Sequence, residues 1–276
     1  MRLVTVGCSG SFAGPTSPAS SYLVQVPAAV AAAAGHEARD WNVVLDLGNG
    51  ALGALQHHLD PLDLDAVALS HLHPDHFVDV CGLYVYLRYH PERGSVRTGV
   101  PSRLPVLGPS ATGRRIDAAY GAEPGEGLGG ELDVRTWEPG VPVRIGPLTL
   151  EPYRVFHPVE AYGVRVTGPS SVRPGEQVVL AYTGDTDACD GVVDLARDAD
   201  LLLSEAAFHE GRDDGVERGI HLTGRRAGEV ATAAGARRLV LTHLPAWNDP
   251  GRALAEARGT YAGPVEVATP GGMVDL

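Results

Sequence analysis

The sequence has few cysteines, few basic residues and no long apolar run. Its three cysteines among 276 residues are widely spaced and form no CxxC pair, which argues against a disulfide framework or a cysteine zinc site and agrees with a reducing compartment. Because 34 acidic residues outnumber 22 basic ones, for a formal net charge of -12, a long nucleic acid is disfavoured as the main partner. With neither a bilayer-spanning segment nor an export signal, we expect a cytoplasmic protein without a membrane partner.

Apolar residues are plentiful by contrast. They make up 44% of the 276 residues, so we expect one core and a single domain over residues 1–276. Apolar runs of strand length recur at residues 3–6, 22–26, 43–47, 66–69, 178–182, 201–203 and 239–241. Helical spacing appears at residues 77–89, 191–197, 224–234 and 250–259, with Thr223 and Asp249 as N-caps. This order predicts a mixed α/β protein with two sheets and outer helices.

Three segments that interrupt this pattern are predicted to be surface loops. Residues 121–130 and 168–175 are rich in turn-forming residues, and residues 28–34 are a run of alanine with one valine. The alanine run also suits a short helix, but Pro27 and Gly35 limit it to a length that is marginal in isolation.

The stretch SHLHPDHF at residues 70–77 places three histidines and an aspartate within six consecutive residues. It joins a predicted strand to a predicted helix, which is where functional sites are commonly built. On an extended segment His71 and His73 project to the same side and can bind one metal ion, while Asp75 and His76 point to a second. Pro74 restricts the loop and favours an extended His73. The alternative, a turn of unrelated surface residues, is disfavoured by the density of ligand-type side chains.

Two metal sites need further ligands, and His157, Asp185 and His243 each follow a predicted strand. A carboxylate can bridge two cations, whereas a neutral imidazole has one lone pair to offer, so Asp185 is predicted to be the bridge. Asp46, also at a strand end, either orients a ligand histidine or has only a local structural role. The remaining histidines are interpreted as surface residues: His36, His57, His58, His90 and His209.

These residues resemble the metallo-β-lactamase fold hydrolases, whose HxHxDH signature is matched by residues 71–76 and whose later ligands are matched by His157, Asp185 and His243. Glu205 and the HxT element at residues 221–223 are similar to the ribonuclease Z-like phosphodiesterase branch. The segments GCSGSFAGPTSPASSYLV, RYHPE and LTHLPAW resemble the actinobacterial cyclic nucleotide phosphodiesterases of this fold. Asp79 departs from the family pattern, because many members have glycine there.

The resemblance implies a four-layer αββα sandwich that binds two divalent metal ions. Its first implied ligand set is His71, His73, His157 and Asp185, and its second is Asp75, His76, Asp185 and His243. The histidine-rich sets favour Zn²⁺, although oxygen ligands also permit Mn²⁺ or Fe²⁺. The family often forms homodimers.

Catalysis is predicted to use a water that two neighbouring metal ions activate to hydroxide for in-line attack on phosphorus. His221 would hold developing charge and protonate the leaving alkoxide, with Glu205 orienting it, or the two would form a buried ion pair without a chemical role. Asp75 is predicted to be a catalytic residue as well as a metal ligand. His221 and Thr223 are predicted to bind the substrate. Base recognition would fall to loop residues such as 17–21 or 84–90.

The favoured function is hydrolysis of small phosphodiesters, most concretely 3′,5′-cyclic nucleotides to 5′-nucleotides. A tRNA 3′-end endonuclease is the first alternative, but its tRNA-gripping arm normally lies between the third histidine and the bridging aspartate. The segment between His157 and Asp185 leaves little room for one, and the clearest basic clusters are only pairs, at residues 225–226 and 237–238. Ester, lactone or thioester hydrolysis on the same centre is a further alternative. A non-catalytic metal-binding or nucleotide-sensing protein is disfavoured, because all seven ligand positions hold competent residues.

Overall fold

The computed structural model describes residues 1–122 and 128–276, in which fourteen strands are arranged as two seven-stranded sheets. The strands are β1 (Arg2–Gly7), β2 (Ser21–Val26), β3 (Trp41–Leu45), β4 (Ala66–Ala68), β5 (Leu104–Gly108), β6 (Leu132–Thr136), β7 (Val143–Ile145), β8 (Leu148–Arg154), β9 (Tyr162–Pro169), β10 (Gln177–Tyr182), β11 (Leu201–Glu205), β12 (Leu239–Thr242), β13 (Val265–Val267) and β14 (Met273–Asp275).

Helices connect and cover these strands. They are α1 (Ala28–Ala33), α2 (Ala51–Leu55), α3 (Pro74–Phe77), α4 (Val80–Tyr89), α5 (Ser95–Thr98), α6 (Thr112–Tyr120), α7 (Asp190–Ala196), α8 (Gly224–Ala234) and α9 (Pro250–Arg258), with a 3-10 turn at Pro61–Asp63. In the described part of the chain, none is long and apolar enough to cross a membrane.

Both sheets combine an antiparallel half with a parallel half. The first has the order β14-β1-β2-β3-β4-β5-β6 and is parallel from β3 to β6. The second has the order β13-β12-β11-β10-β9-β8-β7 and is parallel from β10 to β13. Because parallel strands end at the same edge of a sheet, the loops after β4, β10, β11 and β12 can converge on one region.

The core lies between the two sheets and continues under the outer helices. Tyr22 and Leu45 of the first sheet pack with Val164 and Leu180 of the second, all of them buried. A second cluster joins the first sheet to α2 and α4, and a third joins the second sheet to α7, α8 and α9. The predicted four-layer αββα sandwich is therefore confirmed.

The predicted strands are all present, with small shifts at their ends. The run at residues 43–47 ends as a strand at Leu45, and the helical stretch at residues 77–89 is divided between α3 and α4. Thr223 and Asp249 are confirmed as N-caps: their side chains accept hydrogen bonds from the amides of Arg226 at 3.1 Å and Gly251 at 2.9 Å. Asp79 Oδ2 accepts from the Leu52 amide at 2.9 Å, which ties α2 to the start of α4.

The loop predictions need correction in two places. The alanine run is not a loop but helix α1, since Ala31 is buried in the core and tertiary packing stabilises a helix too short to form alone. The predicted loop at residues 168–175 begins later, because β9 continues to Pro169. Within the predicted loop at residues 121–130, residues 123–127 lie outside the described part of the chain.

The packing of the two sheets can be tested at Leu180. Its side chain is fully buried between them, so Leu180→Ala should lower the free energy of unfolding by about 2–5 kcal/mol through lost burial and a residual cavity. Urea unfolding measures this loss. Val141→Ala, at an exposed position, is the control, with an expected change below about 0.5 kcal/mol. An equally small loss for both variants would show that the sheets do not pack at Leu180.

Candidate metal centre

The candidate ligands lie just after strands or on a short helix that follows a strand. His71 and His73 follow β4, and Asp75 and His76 are on the short helix α3. His157 follows β8, while Asp185 and His243 follow β10 and β12 of the second sheet. His73 is extended, with φ -75° and ψ 146°, as Pro74 predicts.

The first group brings together the side chains of His71, His73, His157 and Asp185. His71 Nε2 lies 3.0 Å from His73 Nδ1, which in turn lies 3.2 Å from His157 Nε2. Asp185 Oδ2 is 3.7 Å from His71 Nε2. Three imidazole nitrogens and one carboxylate oxygen therefore surround one point, the donor set of a tetrahedral zinc site.

The second group consists of Asp75, His76, Asp185 and His243. His76 Nε2 is 3.2 Å from His243 Nε2 and 3.2 Å from Asp185 Oδ1, and His243 Nε2 is 3.2 Å from Asp75 Oδ2. Asp185 thus directs Oδ2 to the first group and Oδ1 to the second. This is the geometry expected of the bridging carboxylate.

The protonation of the side chains in the first group suits a bound cation. Burial, reinforced by neighbouring imidazoles, lowers the pKa values of His71 and His73, and burial lowers that of His157, which keeps these rings neutral and able to ligate. Burial alone would raise the pKa of Asp185, but the neighbouring imidazoles of His243, His76 and His71 hold it well below its usual range. The carboxylate is therefore ionised, as a bridging ligand must be.

Two buried atoms of the centre lack hydrogen-bond partners in the described structure. They are Asp185 Oδ1 and His243 Nδ1. A buried polar atom left unpaired is costly, and a cation between the ligands would remove that cost for the carboxylate. The residues present therefore fit two divalent metal ions, although they do not identify the metal.

Asp46 binds His76 through the ring nitrogen Nδ1, which is not the nitrogen that faces the ligand group. Its Oδ2 accepts hydrogen bonds from His76 Nδ1 at 2.7 Å, the Tyr182 hydroxyl at 2.6 Å and the Ser70 hydroxyl at 2.7 Å, while Oδ1 accepts from the Ser70 amide at 2.7 Å. With Nδ1 fixed in this way, Nε2 of His76 is directed to the ligand group. Of the two roles considered for Asp46, the structure supports the orienting one.

His221 and Glu205 form a pair beside the ligand groups. Glu205 is at the end of β11, and its Oε1 accepts hydrogen bonds from His221 Nδ1 at 2.9 Å and from the Thr186 amide at 2.8 Å. Burial alone lowers the pKa of His221, but the charge and hydrogen bond of Glu205 outweigh burial and raise it to about 9. His221 therefore carries a proton at neutral pH, with Nδ1 held by Glu205.

Thr223 is close to this pair in sequence, but its side chain is only 1% exposed. Its hydroxyl accepts from the Arg226 amide at 3.1 Å and donates to Glu210. These contacts fix the start of α8 and the loop that carries His221. Substrate binding by Thr223 stays a prediction, which this burial does not favour.

One histidine interpretation is wrong. His209 is buried rather than on the surface, with Nδ1 3.7 Å from Glu256 Oε1. The residues that follow His209 are polar and charged, so the local pattern gave no sign that its side chain is buried. His36, His57 and His58 are exposed and His90 is half-buried.

Four residues that support the centre were not predicted from the sequence. Ser70 and Tyr182 bind Asp46, the Ile220 carbonyl accepts from His157 Nδ1 at 2.9 Å, and the Ser11 amide approaches His243 Nε2 at 3.3 Å. Ser70 is adjacent to the histidine cluster, which is a usable signal. The others come from distant segments and act partly through the backbone, so no side-chain motif marks them.

Comparison with known proteins agrees with this arrangement. A family model described as a beta-lactamase superfamily domain matches residues 42–244, a range that contains all seven candidate ligands. An uncharacterized protein of Mycobacterium tuberculosis is 41% identical over 268 residues, covering 96% of this chain and 88% of its own length.

Two further relatives carry functional names. The probable metallo-hydrolase YhfI of Bacillus subtilis is 29% identical over 98% of both chains. The crystal structure of YhfI, a metallo-beta-lactamase fold protein, superimposes on this structure with a TM-score of 0.78 and 26% sequence identity. The match covers 100% of this chain and 98% of YhfI. Ribonuclease Z of Myxococcus xanthus is 44% identical over 135 residues, which are 47% of this chain and 40% of that enzyme. The fold expected from the sequence motifs is thus confirmed.

The orienting role of Asp46 can be tested by Asp46→Asn. Asparagine keeps the shape and tolerates the positive φ of 57°, but it removes the charge that holds His76 Nδ1. We expect zinc affinity to fall by about 10–100-fold, measured by competition with a chromophoric chelator. Tyr182→Phe, which removes one donor to the same carboxylate without touching His76, should have a smaller effect. Unchanged affinity in Asp46→Asn would refute the orienting role.

Proposed function

We propose that this chain, which belongs to the beta-lactamase superfamily, acts as a single domain over residues 1–276 and is a dinuclear metal-dependent phosphodiesterase. Its favoured substrates are small phosphodiesters, most concretely 3′,5′-cyclic nucleotides that are hydrolysed to 5′-nucleotides. The observation that carries this proposal is the bridging position of Asp185 between two ligand groups, with the protonated His221 beside it.

The site supplies the groups that phosphodiester hydrolysis requires. When bound, two divalent cations supply an activated water and Lewis-acid stabilisation of a phosphoryl oxygen. His221 carries a proton for the leaving alkoxide, and Glu205 holds the ring in place through Nδ1, so that Nε2 is the atom that donates. Asp75 contributes a carboxylate whose pKa lies well below its usual range, despite burial, because His243 and His76 bind it.

The surroundings of the site favour a small substrate over a long RNA. The segment from His157 to Asp185 is filled by the hairpin of β9 and β10, which leaves no room for an extended arm. The arginines of both basic pairs contact carboxylates: Arg225 with Glu229, Arg226 with Asp187, Arg237 with Asp200 and Arg238 with Glu266. A phosphate-binding strip would need such charges free.

The ribonuclease Z-like alternative rests on the partial likeness to Myxococcus xanthus ribonuclease Z and on the same centre. Ester, lactone or thioester hydrolysis would use the same metal ions, with His221 assisting an oxyanion. The protonated His221 and its carboxylate partner favour a reaction with a poor alkoxide leaving group, which argues against a thioester, whose thiolate leaves more easily, but is shared by phosphodiesters, alkyl esters and lactones.

The substrate assignment is tested directly by hydrolysis of 3′,5′-cAMP with zinc-loaded protein. Asp185→Ala removes the ligand shared by both groups and should reduce turnover by more than about 100-fold, which exceeds the effect of losing an outer hydrogen-bond partner. Asp194→Ala, at an exposed helix position, is the matched control and should retain activity. Inactivity on cAMP together with cleavage of a precursor tRNA bearing a 3′ trailer would contradict this assignment and show that the enzyme processes tRNA 3′ ends.

The role of His221 as proton donor is tested by leaving-group dependence. His221→Ala should lower kcat for cAMP by about 100-fold or more and that for a nitrophenyl phosphodiester far less, because nitrophenolate leaves without a proton. Since only the protonated ring donates, the wild-type rate on cAMP should fall as pH rises through about 9. Glu205→Gln removes the charge that raises this pKa, so the fall should occur at lower pH. Equal losses on both substrates would exclude proton donation by His221.

A further inference from the structure

The exposed phenylalanine and tryptophan side chains all lie around the candidate metal centre. The chain has four phenylalanines and three tryptophans, all within the described residues. Those with exposed side chains are Phe12, Phe156 and Trp247, which are 37%, 49% and 66% exposed. Phe156 directly precedes His157, and Trp247 is on the loop after His243. Tyr89 and Tyr120 are also exposed elsewhere in the fold, but a group of exposed phenylalanine and tryptophan side chains near one site usually marks a binding surface.

Phe12 and Trp247 contact each other across the loops that hold His243. Their ring centroids are 4.9 Å apart, with a 45° angle between the ring planes. We call them the aromatic pair. Phe12 follows Ser11, whose amide approaches His243 Nε2 at 3.3 Å. Trp247 therefore lies four residues after the candidate ligand His243, and Phe12 lies next to a residue that contacts His243.

The backbone fixes the aromatic pair relative to the centre. The Gly10 amide donates to the Leu244 carbonyl at 3.1 Å, and the Leu244 amide donates to the Cys8 carbonyl at 3.2 Å. Gly10 also lies against His243, because an added Cβ would come within 2.3 Å of the His243 carbonyl oxygen. Both loops are thus held together next to a ligand, and the exposed rings gain a defined position without being buried.

We propose that the aromatic pair stacks against the nucleobase of the substrate, chiefly on the exposed face of Trp247. This inference rests on the proposed function, since it assigns the base-binding surface of the same site. A planar base is the part of a small nucleotide that an exposed indole recognises, while the ligand groups lie where the phosphate would react. The polar ribose and phosphate need no such surface.

Other surfaces near the site suit a base less well. Phe156 is partly covered, because the tip of its ring packs on Gly219, where a Cβ would lie 2.5 Å from a ring atom. In the segment 17–21, Ser20 and Ser21 are buried, and the Ser17 hydroxyl accepts from the Cys8 amide at 2.9 Å and donates to the Pro18 carbonyl. The segment 84–90 covers the C-terminal half of α4, at the opposite end of that helix from α3 and its ligands.

Stacking has a consequence for substrate choice. Every base offers a flat face, and stacking discriminates weakly among bases compared with hydrogen bonds to base edges. The aromatic pair should therefore distinguish nucleotides from phosphates without a base much more than it distinguishes adenine from guanine.

Binding of 5′-AMP and ribose 5-phosphate to zinc-loaded protein, measured by titration calorimetry, tests this inference without turnover. Trp247→Leu and Phe12→Leu should each raise the Kd of 5′-AMP about tenfold, within the range of base-stacking losses, and leave that of ribose 5-phosphate unchanged. Wild-type tryptophan fluorescence should be quenched by 5′-AMP and by 5′-GMP, but not by ribose 5-phosphate. Tyr89→Leu, another exposed aromatic substitution, is the matched control and should bind like the wild type.

The outcomes separate this inference from the proposed reaction. Base-dependent binding that is lost in Trp247→Leu supports the aromatic pair even if cAMP is not hydrolysed. Unchanged 5′-AMP binding in both variants, with cAMP hydrolysis intact, would overturn the aromatic pair alone. Loss of binding only in Phe156→Leu would assign the base to the other side of the centre. Conversion of a dimer to a monomer by Trp247→Leu in sedimentation, with unchanged binding, would show that the pair contacts a second copy instead.

Discussion

The centre depends on the buried carboxylate of Asp185. An ionised carboxylate in a protein interior is costly unless positive charge and hydrogen bonds compensate for its lost hydration. Here the compensation comes from imidazoles on both sides, with His71 facing Oδ2 and His76 facing Oδ1. The pKa of Asp185 stays well below its usual range for this reason. Because the same carboxylate serves both ligand groups, neither group is complete without it.

This constraint requires the two sheets to meet at their carboxyl ends. His71 follows β4 of the first sheet, whereas Asp185 and His243 follow β10 and β12 of the second, so only the packed sandwich brings them together. Two residues at strand ends of the centre have an unusual backbone conformation. Asp46 has a φ of 57° and His243 a φ of 56°, a region that residues other than glycine seldom occupy. Such conformations persist where surrounding contacts over-determine them, and the hydrogen bonds around Asp46 do so.

The chain as a whole has a net negative charge, both of its basic pairs contact carboxylates, and a few exposed aromatic rings lie near the centre. These features suit the proposed small nucleotide, because a long polyanion would meet repulsion while a nucleotide needs only metal ions for its phosphate and a ring for its base. In the proposed reaction His221 is the proton donor, and its partner Glu205 is itself held by the Thr186 amide. The site is thus assembled from rigid strand ends, and the loops that carry Phe12 and Trp247 are tied to it by backbone hydrogen bonds.

The sequence by itself determined the architecture and the candidate ligand residues. Strand-length apolar runs followed by histidine or aspartate identify strand ends, and ligand types in HxHxDH spacing are readable without coordinates. Helix caps such as Thr223 were equally readable, because capping is a local interaction. Burial of His209, formation of α1 around Ala31 and the contacts of Tyr182 with Asp46 were decided only by the tertiary structure. Each depends on segments far apart in the chain, and no local pattern records which distant surface a side chain will meet. The contact of Phe12 with Trp247 has the same origin, since it joins two loops that only the folded sandwich places side by side.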